Sequence, residues 1–338
     1  MRIAVDAMGG DYAPREIVKG ALQAASLPGV DTIILVGMKD AIEAELGPSR
    51  DHPRIRILHA SEAVGMDEHP AQAVRRKKDA SISRAIDLIK SGEADAVVSA
   101  GNTGAVVVAA TLKLRTLESV ERPAIAAVLP TMERPLILID AGANTDCSAR
   151  LLVQFAFMGA AYSRVIFAEN NPVVGLMSIG GEDSKGNEVT KEAFALLEKT
   201  NLNFRGNVEG HDLFKGQTDV VVCDGFVGNV VLKTSESAAH VIAQWLKKEF
   251  SRNWLRKFGA GLLRGAWSSL KNKLDPEMYG GAPLLGVNGV CIITHGASSG
   301  KAIYHAVRVA VESVAMRLNE TIVADITRWA QQTRAEGK

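Results

Sequence analysis

The sequence predicts an α/β protein: three αβα layers around a mostly parallel, doubly wound sheet. Three observations carry this. Short β-branched runs alternate with helical stretches along the whole chain. Several runs are apolar throughout instead of alternating, as expected of strands covered on both faces. Six of the runs or their equivalents end in glycine with small polar residues, the chemistry of tight strand-to-helix turns.

Taken in order, the expected strands are Ile3–Asp6, Thr32–Val36, Ile55–Leu58, Ala96–Ser99, Ala124–Leu129, Leu136–Asp140, Val165–Ala168, Val174–Ser178, Val220–Asp224 and Val290–Thr294. Helices are expected near 15–26, 80–91, 103–114, 148–162, 189–199, 229–257 and 300–318. At 338 residues the length suits two domains or one large α/β unit. No Pro/Ser/Gly linker and no fixed-period repeat divides it, so residues 1–330 are expected to form one α/β unit, in which any two lobes share one sheet system, with a basic amphipathic helical insertion at about 245–275. A tail from about Gln331 to Lys338 is expected to fray.

Composition narrows the function. Lys plus Arg total 39 and Asp plus Glu 38, so no bulk charge draws the chain to nucleic acid. Cys147, Cys223 and Cys291 are far apart, form no CxxC pair and match no zinc pattern, which fits a reduced cytoplasmic compartment. Cys223 lies in an apolar run and reads as a buried, inert thiol. The opening Met1–Asp6 reaches an acidic residue too soon for a secretory signal, and no apolar run approaches the roughly 18 residues of a spanning helix.

In open α/β sheets ligands bind beyond the carboxyl ends of strands. The six glycine-bearing loops there are Asp6–Asp11, Ser99–Gly104, Asp140–Asn144, Ser178–Lys185, Cys223–Asn229 and Thr294–Lys301. Glycine lets backbone amides approach a ligand, and a helix that follows offers unpaired N–H groups to an anion. Tight turns need the same residues for structure alone, so both readings stand. The Gly296–Ala302 run resembles a P-loop but is one residue short between its glycines and lacks the magnesium-binding hydroxyl. The Gly259–Gly265 run follows a basic helical stretch instead of a strand. Neither is a nucleotide fingerprint, and no GxSxG elbow or HExxH motif is present. Anion loops without a nucleotide signature point to inorganic phosphate.

Side chains on these loops supply charge and proton control. Lys185 can pair with phosphate, Asp224 and Asn229 can position a nucleophile or oxyanion, and His295 can act as acid, base or donor. Each also has a plain structural reading. Arg75, Arg76, Lys77 and Lys78 form a basic run, either a solvated helix face or a landing site for an acidic partner. From about 245 to 275 cationic residues interleave with Trp245, Phe250, Trp254, Phe258, Leu263, Trp267, Leu270 and Leu274. Three of the four tryptophans lie here. Basic amphipathic helices of this kind lie on membrane surfaces, and a dimer-interface helix pair has the same pattern.

Together, Asp6–Asp11, Ser99–Gly104, Asp140–Asn144, Asp224–Lys233 and His295–Ser299 resemble the PlsX family of bacterial phosphate acyltransferases, over about Arg2 to Leu318. The resemblance implies an enzyme that converts a fatty acyl thioester of acyl carrier protein and inorganic phosphate into acyl phosphate and free carrier protein. It implies a fold similar to isocitrate and isopropylmalate dehydrogenases, a homodimer, no cofactor and no metal. The product would feed phospholipid synthesis through a membrane glycerol-3-phosphate acyltransferase, with the enzyme cytoplasmic and peripheral to the membrane. On this basis Asn102, Thr103, Gly104, Ser298 and Ser299 are expected to hold phosphate, and Lys185, Asp224, Asn229 and His295 to serve catalysis. Arg75–Lys78 would meet the carrier protein, and Trp254, Phe258, Leu263 and Trp267 the bilayer. Two rivals remain open. An NAD-linked β-decarboxylating dehydrogenase would need a carboxylate metal cluster and a nucleotide site. A peripheral membrane scaffold would bind liposomes without consuming thioester.

Overall fold

The computed structural model describes residues 1–265, 269, 273 and 275–336. In chain order the elements are β1 (Arg2–Asp6), α1 (Arg15–Ala24), β2 (Thr32–Gly37), α2 (Lys39–Leu46), β3 (Ile55–His59), α3 (Pro70–Arg76), α4 (Ser81–Lys90), β4 (Ala96–Ser99), α5 (Thr103–Leu114), β5 (Ala124–Leu129) and β6 (Leu136–Ile139). There follow α6 (Ala149–Phe167), β7 (Val173–Met177), α7 (Glu188–Leu197), β8 (Asn203–Val208), β9 (Val220–Val222), α8 (Gly225–Phe250), α9 (Trp254–Leu262), β10 (Ala282–Leu285), β11 (Val290–Ile293), α10 (Gly300–Ala315) and α11 (Leu318–Glu336).

The strands form one eleven-stranded sheet in the order β3-β2-β1-β4-β11-β10-β5-β6-β9-β7-β8. Helices cover both faces, giving the expected three layers. Alternation along β1 shows the division: Ile3 and Val5 face α1 and α10, whereas Ala4 faces the α4 and α5 side. Central strands are buried on both faces, which is why they read as unbroken apolar runs. Helix α6 is buried almost all round between the sheet and α11.

The sheet is mostly parallel, but β10 runs antiparallel to both β11 and β5, and β5 antiparallel to β6. Three reversals leave β6, β9, β7 and β8 opposed in sense to β1, β2, β3, β4 and β11. The six loops therefore do not leave a single row of strand ends. Those after β1, β4 and β11 leave with one sense, those after β6, β7 and β9 with the other.

Four local expectations change. Val165–Ala168 is no strand: Val165 to Phe167 close α6, packed on its core, and Ala168 ends the helix in the left-handed region at φ 52°. The edge strand β8 is polar and contains Gly206, and β10 contains Pro283, so neither shows a strand pattern. The single helix expected over 229–257 is two, because Asn253 accepts a hydrogen bond from the Arg256 N–H (2.9 Å) and starts α9 afresh. The last helix continues past Gln331 to Glu336, where a frayed tail was expected.

Candidate phosphate-binding and acyl-transfer site

The loops after β1, β4 and β11 are stitched together. The Asp11 N–H donates to the Gly296 carbonyl at 2.8 Å, and the Thr294 N–H to the Ser99 carbonyl at 2.9 Å. A Cβ on Gly9 would stand 2.7 Å from both the Gly101 nitrogen and an Asp6 carboxylate oxygen. Gly10, at φ +104°, lies against the Gly296 carbonyl and Ala100. These glycines are thus required by loop-on-loop packing, whatever the loops also bind. Beneath them lies a narrow cavity lined in part by Asp6, Ser81, Ser99, Gly101 and Asn102.

Asp6 is 2% exposed. Its Oδ2 accepts the Ser99 hydroxyl at 2.7 Å, and its Oδ1 the Met8 N–H at 3.3 Å. The Ser81 hydroxyl and the Gly9 N–H also face it. Burial pushes this carboxyl up, and those donors oppose the shift. Ser99 in turn accepts the Gly101 N–H at 3.1 Å.

The five residues expected to hold phosphate separate here. Asn102 caps α5, accepting from the Ala105 N–H at 3.0 Å. Its amide donates to the Met66 and Glu68 carbonyls at 2.9 and 3.1 Å. That side chain is fully committed, so it shapes the loop instead of gripping a ligand. Thr103 is exposed and Gly104 half-buried, and they open α5, where N–H groups project along the helix axis. A side chain on Gly104 would run into Pro70. Ser298 is buried, its N–H on the His295 carbonyl. Ser299 gives both its hydroxyl and its N–H to Glu277, at 2.7 and 3.2 Å, and the Gly300 N–H goes to Glu16 at 2.8 Å. Two carboxylates already serve the start of α10. Ser299 is therefore not an open anion ligand in this conformation.

His295 shares this loop group. It is exposed, and its Nδ1 accepts the Ala297 N–H at 3.1 Å, so a neutral ring carries its proton on Nε2. The other expected catalytic residues lie elsewhere. Asp224 caps α8 through the Val227 N–H at 2.9 Å. Asn229 is exposed and lies over Gly142. Lys185 is exposed on the loop after β7 and packs along Gly180.

Around Asp224 the structure explains a motif that carried the resemblance. Asp140 is fully buried and accepts five N–H donors, from Ile125, Gly142, Ala143 and the backbone and side chain of Asn144. Burial pushes its carboxyl up against those donors. The first turn of α8 lies directly on this loop: Gly225 donates to the Asn144 carbonyl at 2.7 Å, and a Cβ on Gly228 would collide with the Asp140 carbonyl. Cys147 and Cys223 stand nearby. Burial and the negative charges of Asp140 and Asp224 push the Cys147 thiol up to about 12 and Cys223 well above its ordinary value.

The basic run is divided too. Lys77 is half-buried, bound to Glu68 and to the Ala63 carbonyl, and Arg76 pairs with Glu68 at 3.2 Å. Arg75, Arg76 and Lys78 are exposed. Glu68, which sequence reasoning passed over, links that run to the segment that Asn102 holds.

Beyond the first turns of α8, where Val227, Val231 and Leu232 pack on the core, α8 and α9 leave the body as an arm. Only Gly225 and Gly228 of α8 are buried, and no residue of α9. Trp254, Phe258, Leu262 and Leu263 are all more than half exposed. Trp267, Leu270 and Leu274 lie outside the described residues. Past them, Asp275 pairs with Lys301 at 2.7 Å and Glu277 holds Ser299. The segment thus starts at one loop group and returns to the other.

A crystallised phosphotransacetylase from Streptococcus pyogenes has the same fold (TM-score 0.64, 18% identity, 93% of this chain and 94% of that one). At that identity the likeness defines the class of fold alone. Its sequence matches the family described as "Fatty acid synthesis protein" over residues 1–321. It is 53% identical to the phosphate acyltransferase of Pelotomaculum thermopropionicum over 96% of this chain and 95% of the relative. It is 51% identical to that of Desulfitobacterium hafniense over 97% and 98%. The chain belongs to this family, the PlsX-type phosphate acyltransferases.

Proposed function

We propose that this protein transfers a fatty acyl group from the thioester of acyl carrier protein to inorganic phosphate, releasing acyl phosphate and free carrier protein. The observation that carries the reading is the start of α5, where Thr103 and Gly104 open a helix above three interlocked glycine loops. Such an end attracts a small anion without contacting a nucleotide base, and family membership makes phosphate an acyl acceptor.

In this reading a phosphate oxygen attacks the thioester carbonyl carbon. The C–O bond forms, the carbonyl oxygen becomes an oxyanion, and collapse breaks the C–S bond. The carrier thiolate takes the proton given up by phosphate. His295 is assigned to relay that proton or to donate to the oxyanion. Asn229 and Lys185 stand on the other loop group, so their assignment to the oxyanion and incoming charge requires the bound thioester to reach both groups; Asp224 holds the start of Asn229's helix. A well-aligned donor to the oxyanion contributes about 10²–10³ in rate. Holding phosphate beside the thioester supplies up to about 7–11 kcal/mol more. The raised thiols of Cys147 and Cys223 favour direct attack over an acyl-cysteine.

Arg75, Arg76 and Lys78 form the docking face for the acidic carrier protein. The exposed arm is the contact with the bilayer, with a second copy of the chain, or with both, near the membrane acyltransferase that uses the product. The test incubates the protein with acyl carrier protein thioester and phosphate and traps acyl phosphate with hydroxylamine. Hydroxamate that requires phosphate is expected, and none above the phosphate-free control would overturn the reading.

A further inference from the structure

Asp6 ends β1 inside the protein, 2% exposed, and no cation pairs with it among the described residues. Isolated buried carboxylates are costly unless donors surround them. Asp140, at the end of β6, meets that need with five N–H groups, which makes it a structural knot. Asp6 has donors too, the Ser81 and Ser99 hydroxyls and the Met8 and Gly9 N–H groups, but its short 2.7 Å contact is with Ser99, and that serine in turn accepts the Gly101 N–H of the neighbouring loop.

Direction matters in this chain. When ionised, the Asp6 carboxylate only accepts, and the Ser99 hydrogen then points at it. The Ser99 lone pairs are then left for Gly101, whose N–H is turned inward. The glycines above are cut to fit: Gly9 leaves no room between Asp6 and the Gly101 nitrogen. Immediately after Gly101 come Asn102, which caps α5, and then Thr103 and Gly104.

We propose that Asp6 is a positioning residue for phosphate: through the Ser99 hydroxyl it locks the Gly101 amide inward, and so fixes the turn from which α5 presents Thr103 and Gly104 N–H groups to the anion. The proposal rests on the assignment of phosphate to that helix end. Asparagine at position 6 would disturb it without changing shape, because its amide can donate to Ser99 and free the hydroxyl to turn. Alanine at position 99 removes the link and leaves Asp6 in place.

The experiment measures inorganic phosphate binding by calorimetry, and steady-state kinetics with acyl carrier protein thioester, for the full-length wild type, Ser99→Ala and Asp6→Asn. Both variants are expected to weaken phosphate binding and raise its KM about tenfold or more, a loss on the order of 1.4 kcal/mol. The KM for the thioester should stay within about twofold. A merely structural role would move both constants together with the melting temperature, and that pattern overturns the proposal. So do variants that bind phosphate as the wild type does. If Asp6→Asn does not fold, Ser99→Ala alone decides. A wild type that binds no phosphate removes the phosphate assignment itself, and this inference with it.

Discussion

Ser299 hands both its hydroxyl and its backbone N–H to the carboxylate of Glu277, so the loop that most resembles a P-loop already holds an anion of its own. Glu277 stands just after the arm and acts as a cap for α10 supplied from another part of the chain. Glu277→Ala should therefore behave as loss of a cap, costing about 0.5–2 kcal/mol in a urea titration. Because phosphate is assigned to α5, its KM should stay within about twofold of wild type. A sharp fall in that KM would instead show that Glu277 competes with phosphate at Ser299.

Gly228 tests why the Asp224–Lys233 motif has its form. A Cβ there meets the Asp140 carbonyl backbone, which cannot swing aside. Gly228→Ala should destabilise by roughly 3 kcal/mol in denaturant unfolding. Gly259 in α9 has nothing within 4 Å of its would-be Cβ. Gly259→Ala should add about 0.5–1 kcal/mol of local helix stability, read as slower amide exchange in the arm.

Much of the fold was legible because buried parallel strands and their turns have a local pattern. Ile3–Asp6, Ala96–Ser99 and Ala124–Leu129 were read to their observed ends, give or take a residue. The misses have physical causes: Val165–Phe167 has strand composition but closes a helix buried by α11, while β8 and β10 are made by pairing, not by their own residues. The reversal of strand sense at β10, β5 and β6 leaves no mark in any single segment. The site was half legible. The loops were found, but Asn102, Ser299 and Lys77 are polar residues whose partners, Met66, Glu277 and Glu68, lie 36, 22 and 9 positions away. Glu277 and Glu68 carried no motif to announce them. Asp6 opens the Asp6–Asp11 motif, yet only burial distinguishes it from an ordinary turn residue.

The pH dependence of stability should report on Asp6. Burial raises its carboxyl above the ordinary 3.8. Between that value and the folded one, the folded chain binds the proton that the unfolded chain has lost. Asp6 therefore contributes a stability that is present at low pH and falls as pH rises through this window. Asp6→Asn lacks the titration, so its melting temperature relative to wild type should climb as pH rises above 3.8. A constant offset across that range would show that Asp6 keeps its ordinary affinity for protons.

The cysteines give a test of direct attack by phosphate. With the Cys147 thiol near 12, only about one molecule in ten thousand carries the thiolate at pH 8. Iodoacetamide should leave the native protein unmodified at Cys147 and Cys223, and turnover unchanged, by mass spectrometry and assay. Cys147→Ser should retain most of the activity. Loss of activity with stoichiometric labelling would bring back an acyl-cysteine intermediate.

The arm is the last part whose role a measurement can divide. Its exposed Trp254 and Phe258 bury nothing in the body, and α9 contributes no residue to any core. Trp254→Glu with Phe258→Glu should then leave the melting temperature within about a degree, since surface changes cost about 0.5 kcal/mol or less. In this reading the same pair abolishes binding to anionic vesicles, because it removes large interfacial side chains and sets two negative charges against those of Arg256 and Lys257. Turnover with soluble thioester and phosphate should persist. Sedimentation in the absence of lipid separates the remaining alternative: a wild-type dimer that becomes a monomer in the double variant assigns the arm chiefly to the subunit interface, and a dimer that survives while vesicle binding is lost assigns it to the membrane.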